Sequence, residues 1–175
     1  PQGCLRESLL IPNEDRFLCI LPGSRYGEIK KLAPIFAETF KNLLENNPKI
    51  QAVIPTFPHF VDEMKTIFKG LPVHLLTDEH EKKLAFYDAD AALAASGTVG
   101  LELAKADCPH IIAYKVNALT AMLVKKMIKV PYVNLVNILL GQEAVPEYLQ
   151  EECTPEKLAP ALEKLLMQNT QQHVD

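Results

Sequence analysis

Several motifs that would point to a familiar nucleotide-binding or signalling domain are missing from this sequence of 175 residues. No GxGxxG follows its first apolar run, and the segment 22–25 has too few glycines for the pyrophosphate turn of a dinucleotide-binding domain. The absence of a Walker lysine motif argues against a P-loop nucleoside triphosphatase. A response-regulator receiver needs an acidic cluster after its first strand, where this chain has Leu21 and Pro22.

Metal-binding and membrane-spanning patterns are missing as well. The four cysteines are scattered without CxxC spacing and the five histidines form no ligand pattern with them, so we expect neither a structural metal nor a cofactor. We expect free thiols of a reducing cytoplasm, with Cys19 and Cys108 buried. No apolar stretch reaches the length of a membrane span, and the residues PQGCLRESL do not resemble a signal peptide, so we expect a soluble chain.

The charge balance limits the partners of the chain. The formal net charge is −4 and the isoelectric point is about 5.8. No basic tract is long enough to neutralise a nucleic-acid backbone, which argues against a general nucleic-acid binder. A nucleotide partner should therefore be small.

Size and composition predict one globular domain. A chain of 175 residues with 48% hydrophobic content is large enough to bury a proper core. Residues 1–16 are polar and interrupted by prolines, so we interpret them as a linker that leads into a domain at 17–175.

Apolar runs of strand length alternate with helical patterns along the chain. The predicted strands are apolar throughout, which is typical of a parallel sheet covered by helices on both faces. We therefore predict an α/β fold, a doubly wound Rossmann-like sheet with the strand order 3-2-1-4-5-6. The predicted strands are 17–21, 51–55, 73–76, 89–95, 110–114 and 132–136, and the predicted helices are 28–46, 60–68, 79–87, 99–106, 119–128 and 155–168.

Two loops of this sheet carry the candidate chemistry. Residues 22–25 follow the first strand, and Ser96, Gly97 and Thr98 follow the fourth, with Ser96 or Thr98 at the N-cap of the next helix. Free N–H groups and the helix dipole at such a position bind phosphate, although an ordinary capped turn has the same sequence features. Because ligands bind where the strand order reverses, both loops should face one crevice. Glu102 lies about one turn after Thr98, where a carboxylate reaches ribose hydroxyls.

These motifs resemble those of the lipid-A-disaccharide synthase family, in the C-terminal half of its members. The matches run from about residue 17 to the last helix, in the order and spacing of the family. They are LPGSR at 21–25 with Glu28 and Ile29, ASGT at 95–98 with Leu101 and Glu102, YVNL at 132–135 with NIL at 137–139, and PEYLQEECTP at 146–155.

The resemblance implies a GT-B glycosyltransferase, in which two Rossmann-like domains face each other across a cleft and this chain is the donor-nucleotide domain. The family transfers 2,3-diacylglucosamine from its UDP carrier to lipid X, with inversion and without a metal. It acts as a peripheral protein at the cytoplasmic face of the inner membrane. The N-terminal half, with the acceptor site and the general base, is expected to lie outside this chain, which alone should make no disaccharide.

The resemblance also implies individual roles. Arg25 would be the catalytic residue, since its guanidinium can stabilise the departing UDP. The implied nucleotide-binding residues include Gly23 and Ser24 of the first loop. The others are Ser96, Gly97 and Thr98, which would bind phosphate, and Glu102, which would bind ribose. The last three would line the uridine and sugar side of the crevice, and they are Asn137, Glu147 and Gln150.

Other interpretations stay open at the level of the sequence. Arg25 also fits a surface salt bridge with Glu28, and Glu102 fits a solvated helix position. The segment 119–129, with three lysines beside apolar residues, fits a basic amphipathic helix that touches anionic lipid as well as a core helix with a solvated edge. The alternative functions are a stand-alone UDP-binding module and a UDP-sugar epimerase of the same architecture.

Overall fold

The computed structural model describes residues 4–95, 98–116 and 132–168. Strands and helices alternate along these residues, as the sequence predicts. The elements are α1 (Cys4–Ser8), β1 (Arg16–Leu21), α2 (Tyr26–Asn46), β2 (Ile50–Pro55), α3 (Val61–Ile67), β3 (Val73–Leu76), α4 (Glu79–Asp88), β4 (Ala91–Ala94), α5 (Val99–Lys105), β5 (His110–Tyr114), α6 (Leu135–Leu140), β6 (Glu147–Leu149) and α7 (Pro155–Gln168). Short 3-10 helices, Pro58–Phe60 and Gln150–Glu152, precede α3 and α7.

The six strands form one parallel sheet in the order β3-β2-β1-β4-β5-β6. This order confirms the predicted doubly wound fold. Leu18 in β1 pairs with Ala52 of β2 on one side and with Ala91 of β4 on the other, and all three side chains are buried. The central strands are thus covered on both faces, which is why their sequences are apolar without alternation.

Helices cover both faces of the sheet and form two separate cores. Leu18 and Ile20 of β1 point into one core with Phe36 and Phe40 of α2, and α3 and α7 complete that layer. The neighbouring β1 residues, Phe17, Cys19 and Leu21, point into the other core with residues of α1, α4 and α5. Full burial of a phenylalanine side chain stabilises the fold by roughly 1.5–3 kcal/mol, so α2 anchors its layer.

The N-terminal segment differs from the predicted linker, because it packs against the domain. Leu5 in α1 is fully buried, and the N–H groups of Leu5 and Arg6 donate to Asp88 Oδ2 at 2.8 and 3.2 Å. The Arg6 guanidinium forms an ion pair with Asp90 at 3.0 Å and lies over the ring of Phe17. Two backbone N–H groups and the Arg6 side chain thus hold this segment to acids at and just after the end of α4, which lie more than 80 residues away in the sequence.

The predicted sixth strand, at 132–136, is wrong. Residues 132 and 133 lie outside any strand, and α6 begins at Leu135 because Asn134 Oδ1 accepts a hydrogen bond from the Val136 N–H at 3.1 Å. The sixth strand is β6, which pairs with β5. A short apolar run fits a strand and a helix equally well, and the cap at Asn134 decides between them here.

Most other predicted boundaries agree with the structure to within about two residues. The predicted ranges of β3, β5 and α7 are the observed ones. Cys19 and Cys108 are buried as predicted. The predicted helix 119–128 lies outside the described residues. Among the residues that are described, no helix is long and apolar enough to cross a membrane.

Candidate functional site

A cavity of about 440 Å³ opens at the carboxyl ends of the first four strands. This is the edge of the sheet at which ligands bind in doubly wound folds. Each of the four strands contributes the residues that follow it. The lining consists of Leu21 at the end of β1 with Gly23, Ser24, Arg25 and Glu28 after it, Pro55 at the end of β2 with Thr56 and Phe57 after it, Leu76 at the end of β3 with Thr77, Asp78, Glu79 and Lys82 after it, and Ala95, Thr98, Val99 and Glu102 after β4.

The loop after β1 brings Arg25 to the rim of this cavity. Gly23 has φ of +118°, a conformation that other residues rarely adopt, and it turns the chain toward the start of α2. The Arg25 side chain is 83% exposed, and its Nη1 lies 3.8 Å from Glu28 Oε1. The surface salt bridge considered for Arg25 is therefore present, but a long, exposed pair of this kind contributes little stability. Arg25 remains accessible to an anionic ligand.

Glu28 is a site residue for which the sequence motif gave no role. Its Oε2 accepts hydrogen bonds from the backbone N–H groups of Ser24 at 3.2 Å and Arg25 at 3.4 Å. The side chain is only 16% exposed. The signal was present in the sequence, because a glutamate three residues after the N-cap is the reciprocal half of a capping box.

The segment after β4 contributes Thr98, just before α5, and Glu102, within α5, to the same cavity, as predicted. Thr98 stands immediately before α5, but its backbone is already helical and its side chain makes no capping hydrogen bond. The predicted side-chain cap is therefore absent at Thr98. Both residues are exposed, so their oxygen atoms are free to contact a ligand. Ser96 and Gly97 lie outside the described residues.

The ends of β2 and β3 add residues that the sequence analysis missed. Phe57 is 44% exposed, and its ring stacks on His59 with 5.7 Å between the ring centroids. Lys82 reaches the cavity from α4, where its Nζ lies 3.6 Å from Glu79 Oε2. Asp78 is the N-cap of α4, and its side chain accepts hydrogen bonds from the backbone N–H groups of residues 80 and 81. Phe57 offers an apolar face, and Lys82 is a second cation among the lining residues.

Asn137 and Glu147, by contrast, are not among the residues that line this cavity, and their nucleotide-binding role stays a prediction. Asn137 is fully buried, and its Nδ2 donates to Val145 O at 2.6 Å and to Glu147 Oε1 at 2.8 Å. The Glu147 carboxylate also accepts the N–H groups of residues 133 and 134. These bonds hold the connection between α6 and β6, which is a structural use of both side chains. Gln150 follows β6 with φ of +53°, and it too is absent from the lining of the cavity.

The charges of Arg25 and Glu28 also affect the Tyr114 hydroxyl, at the end of β5. Burial raises the pKa of Tyr114, the Glu28 carboxylate raises it further, and Arg25 opposes this shift. Tyr114 at the carboxyl end of β5 therefore lies within the electrostatic reach of both side chains.

Within 4–95, 98–116 and 132–168, no group of three or more acidic, histidine or cysteine side chains is placed to hold a metal ion. The cavity thus offers two cations, four carboxylates, several hydroxyl groups and an apolar ring.

Several solved structures share the fold of this chain at low sequence identity. E. coli ADP-heptose LPS heptosyltransferase II superposes with a TM-score of 0.68 at 13% identity, covering 95% of this chain and 51% of that one. The C-terminal CMP-Kdo binding domain of WaaA from Acinetobacter baumannii gives a TM-score of 0.60 at 12% identity, covering 98% and 95%. A UDP-N-acetylglucosamine 2-epimerase from Listeria monocytogenes gives 0.65 at 13% identity, covering 95% and 39%. The chain thus has the Rossmann-like fold of GT-B glycosyltransferases.

Sequence similarity identifies the family. A family model described as lipid-A-disaccharide synthetase matches residues 1–175, and the chain belongs to this family. The lipid-A-disaccharide synthase of Gluconobacter oxydans is 42% identical over 158 residues, which is 89% of this chain and 38% of the relative. That of Sodalis glossinidius is 40% identical over 170 residues, 94% of this chain and 44% of the relative. The chain therefore spans less than half the length of these relatives.

Proposed function

We propose that this chain is the donor-nucleotide domain of a lipid-A-disaccharide synthase, an inverting hexosyltransferase. The enzyme would transfer 2,3-diacylglucosamine from UDP to lipid X and release UDP. The observation that carries the proposal is that Gly23, Ser24, Arg25, Thr98 and Glu102, from the two motifs of the family resemblance, line one cavity at the switch point of the sheet. Two separate sequence motifs meet where a nucleotide binds in this fold class.

The residues of the cavity suggest how the leaving group would be stabilised. When the bond between the sugar C1 and the diphosphate oxygen breaks, negative charge grows on the diphosphate. The exposed guanidinium of Arg25 would take up that charge, and the Ser24 and Thr98 hydroxyl groups would donate to phosphate oxygens. Glu102 would accept from the ribose hydroxyls, and Phe57 would cover one face of the uracil ring. These groups supply the electrophilic assistance without a metal ion.

The acceptor side of the reaction belongs to the rest of the enzyme in this proposal. The lipid X hydroxyl would form the new bond at C1 and lose its proton to a base outside residues 1–175. The chain alone should then bind the donor and make no disaccharide. We propose that the complete enzyme is cytoplasmic and peripheral to the inner membrane. The lysine-rich segment 119–129, considered above as a lipid-contacting helix, lies outside the described residues.

Calorimetric titration with UDP tests the nucleotide part of this proposal. UDP should bind with the same affinity in the presence and absence of EDTA, because the cations of the site are side chains. ADP should bind more weakly if the pocket recognises the base. Failure to bind UDP would refute the proposal, and loss of binding in EDTA would refute its metal-free form.

Enzymatic turnover separates the transferase from other uses of the same fold. Incubation of the chain alone with UDP-2,3-diacylglucosamine and lipid X should give no disaccharide, and the complete enzyme should give it. Disaccharide formed by the chain alone would show that the acceptor site and the base are within these residues. Hydrogen exchange at the sugar C2, without an acceptor, would indicate an epimerase instead.

A further inference from the structure

The carboxylate of Glu28 is held inside the loop that carries Arg25. Oε2 accepts hydrogen bonds from two consecutive backbone N–H groups, those of Ser24 at 3.2 Å and Arg25 at 3.4 Å. The other oxygen, Oε1, lies 3.8 Å from Arg25 Nη1. One side chain of α2 therefore touches both the backbone of the loop and the cation at its end.

Gly23 of the loop packs closely against the side chain of Glu28. A Cβ atom at residue 23 would lie 2.7 Å from Glu28 Oε2 and 2.9 Å from Glu28 Cβ. Both distances are shorter than Cβ atoms tolerate, so the glycine backbone rests directly on the glutamate side chain. A side chain at residue 23 would therefore displace the Glu28 side chain from the loop.

This arrangement changes which groups are available to a phosphate. The N–H groups of Ser24 and Arg25 at the start of α2 would be natural phosphate donors, but Glu28 already accepts from both. Recognition of a diphosphate at this loop is thereby left to side chains, of which Arg25 carries the positive charge. We propose that Glu28 is a positioning residue that fixes the loop 22–25 so that Arg25 faces the diphosphate of the donor. This inference rests on the proposed function.

The backbone bonds, rather than the ion pair, carry this role. Arg25 is 83% exposed, and an ion pair of 3.8 Å with such an exposed partner is weak. A neutral acceptor at residue 28 can still accept from the loop amides, whereas a side chain without an acceptor cannot. Glu28→Gln should therefore preserve the position of Arg25, and Glu28→Ala should lose it.

Titration of Glu28→Ala with UDP and with uridine tests the inference. The affinity for UDP should fall by about tenfold or more, the scale of one charge-assisted hydrogen bond, while the affinity for uridine should stay unchanged. Glu28→Gln should recover most of the UDP affinity. Glu38→Ala is the matched control, because Glu38 lies on the same helix and forms an exposed i,i+3 pair with Lys41 at 3.4 Å. It should bind UDP normally.

A double-mutant cycle with Arg25→Ala decides whether Glu28 acts through the arginine. In the Arg25→Ala background, Glu28→Ala should have no further effect on UDP affinity. Equal losses for UDP and uridine, or additive losses in the double variant, would overturn the inference. Normal UDP binding by Glu28→Ala would overturn the role of Glu28 and leave the proposed function intact. Absence of UDP binding by the unmodified protein would overturn the proposed function as well. If Glu28→Ala does not fold, Glu28→Asp, which shortens the side chain by one methylene, should give the same difference between UDP and uridine.

Discussion

Glu28 fills the space that the missing side chain of Gly23 leaves open. Glu28 Oε2 lies 2.7 Å from the position that a Cβ atom at residue 23 would occupy, and the backbone at Gly23 has φ of +118°. The requirement for glycine is therefore twofold, since both the backbone conformation and the contact with Glu28 exclude a larger residue. This relationship ties the conformation of the arginine loop to the first turn of α2.

Gly23→Ala should consequently impair both the fold and the site. We expect the free energy of unfolding to fall by roughly 1–3 kcal/mol from backbone strain, and UDP affinity to fall as the loop shifts. Gly27→Ala is the matched control, because a Cβ atom there meets nothing within 4 Å and the residue lies in α2. Its stability should be unchanged or up to about 1 kcal/mol higher. Denaturant unfolding and UDP titration measure both, and an unaffected Gly23→Ala variant would contradict the geometry of the loop.

His110 should make the stability of the domain depend on pH. Burial lowers its pKa from the ordinary 6.5, and the hydrogen bond from Nδ1 to Cys108 O, at 2.8 Å, offsets this in part. Its Nε2 is buried without a hydrogen-bond partner among the described residues, so protonation would bury an unpaired charge. The unfolded state binds the proton more tightly than the folded state. The stability that the neutral His110 provides is therefore complete above about pH 6.5 and is lost as the pH falls toward the folded pKa.

His110→Asn should flatten that dependence, since an asparagine keeps an N–H donor near Cys108 O but does not titrate. The measurement is the free energy of unfolding at about pH 7.5 and about pH 5.5, on either side of the ordinary histidine pKa. His80→Asn, at an exposed position, serves as the control and should keep the slope of the unmodified protein. Equal slopes for the His110 variant and the unmodified protein would contradict the assignment.

Phe57 should contribute to nucleotide affinity through its exposed ring. Phe57→Ala is expected to cost about 1–3 kcal/mol of UDP binding free energy, the range of base stacking on aromatic side chains. Phe57→Tyr should bind normally. Tyr87→Ala is a suitable control, since Tyr87 is 42% exposed, similar to Phe57 at 44%, and does not line the cavity. If UDP titration gave the same affinity for Phe57→Ala and the unmodified protein, the base would lie elsewhere.

The strands and their order were predictable because burial on both faces leaves a local signature. Residues 17–21 and 111–113 are continuous apolar runs, and such runs alternating with helical patterns specify a parallel sheet. The two loops that meet at the cavity followed from the same reasoning, since the switch point depends only on strand order. Gly23, Ser24, Arg25, Thr98 and Glu102 therefore lie where the sequence placed them.

The remaining features depend on contacts that sequence patterns do not record. Arg6 pairs with Asp90 across 84 residues, and this contact is one of those that hold the N-terminal helix against the domain. Asn137 and Glu147 bond to each other at 2.8 Å, which uses both side chains in the fold rather than in the cavity. Lys82 lines the cavity from within α4, and the predicted helix 79–87 gave no signal for which of its side chains would do so.

Arg25 is the residue whose replacement should affect catalysis most. Its guanidinium would neutralise charge that appears as the glycosidic bond breaks, so its contribution belongs to the transition state more than to the bound donor. In the complete enzyme, Arg25→Ala should lower turnover by about a hundredfold or more, the scale seen when one preorganised charge-stabilising donor is removed. Arg25→Lys should recover little, because a point charge on a flexible stem does not reproduce a planar fork across two phosphate oxygens.

Thermal stability separates this catalytic role from a structural one. Because the Arg25 side chain is 83% exposed and its ion pair with Glu28 is 3.8 Å long, the melting temperature of both variants should hardly change. Lys41→Ala is the control for loss of an exposed cation on α2, and it should leave turnover and melting temperature unchanged. Steady-state kinetics and melting curves on the three variants provide the comparison. Near-normal turnover of Arg25→Ala with a lower melting temperature would mean that Arg25 serves the fold, because a group that stabilises only the transition state cannot be removed without slowing the reaction.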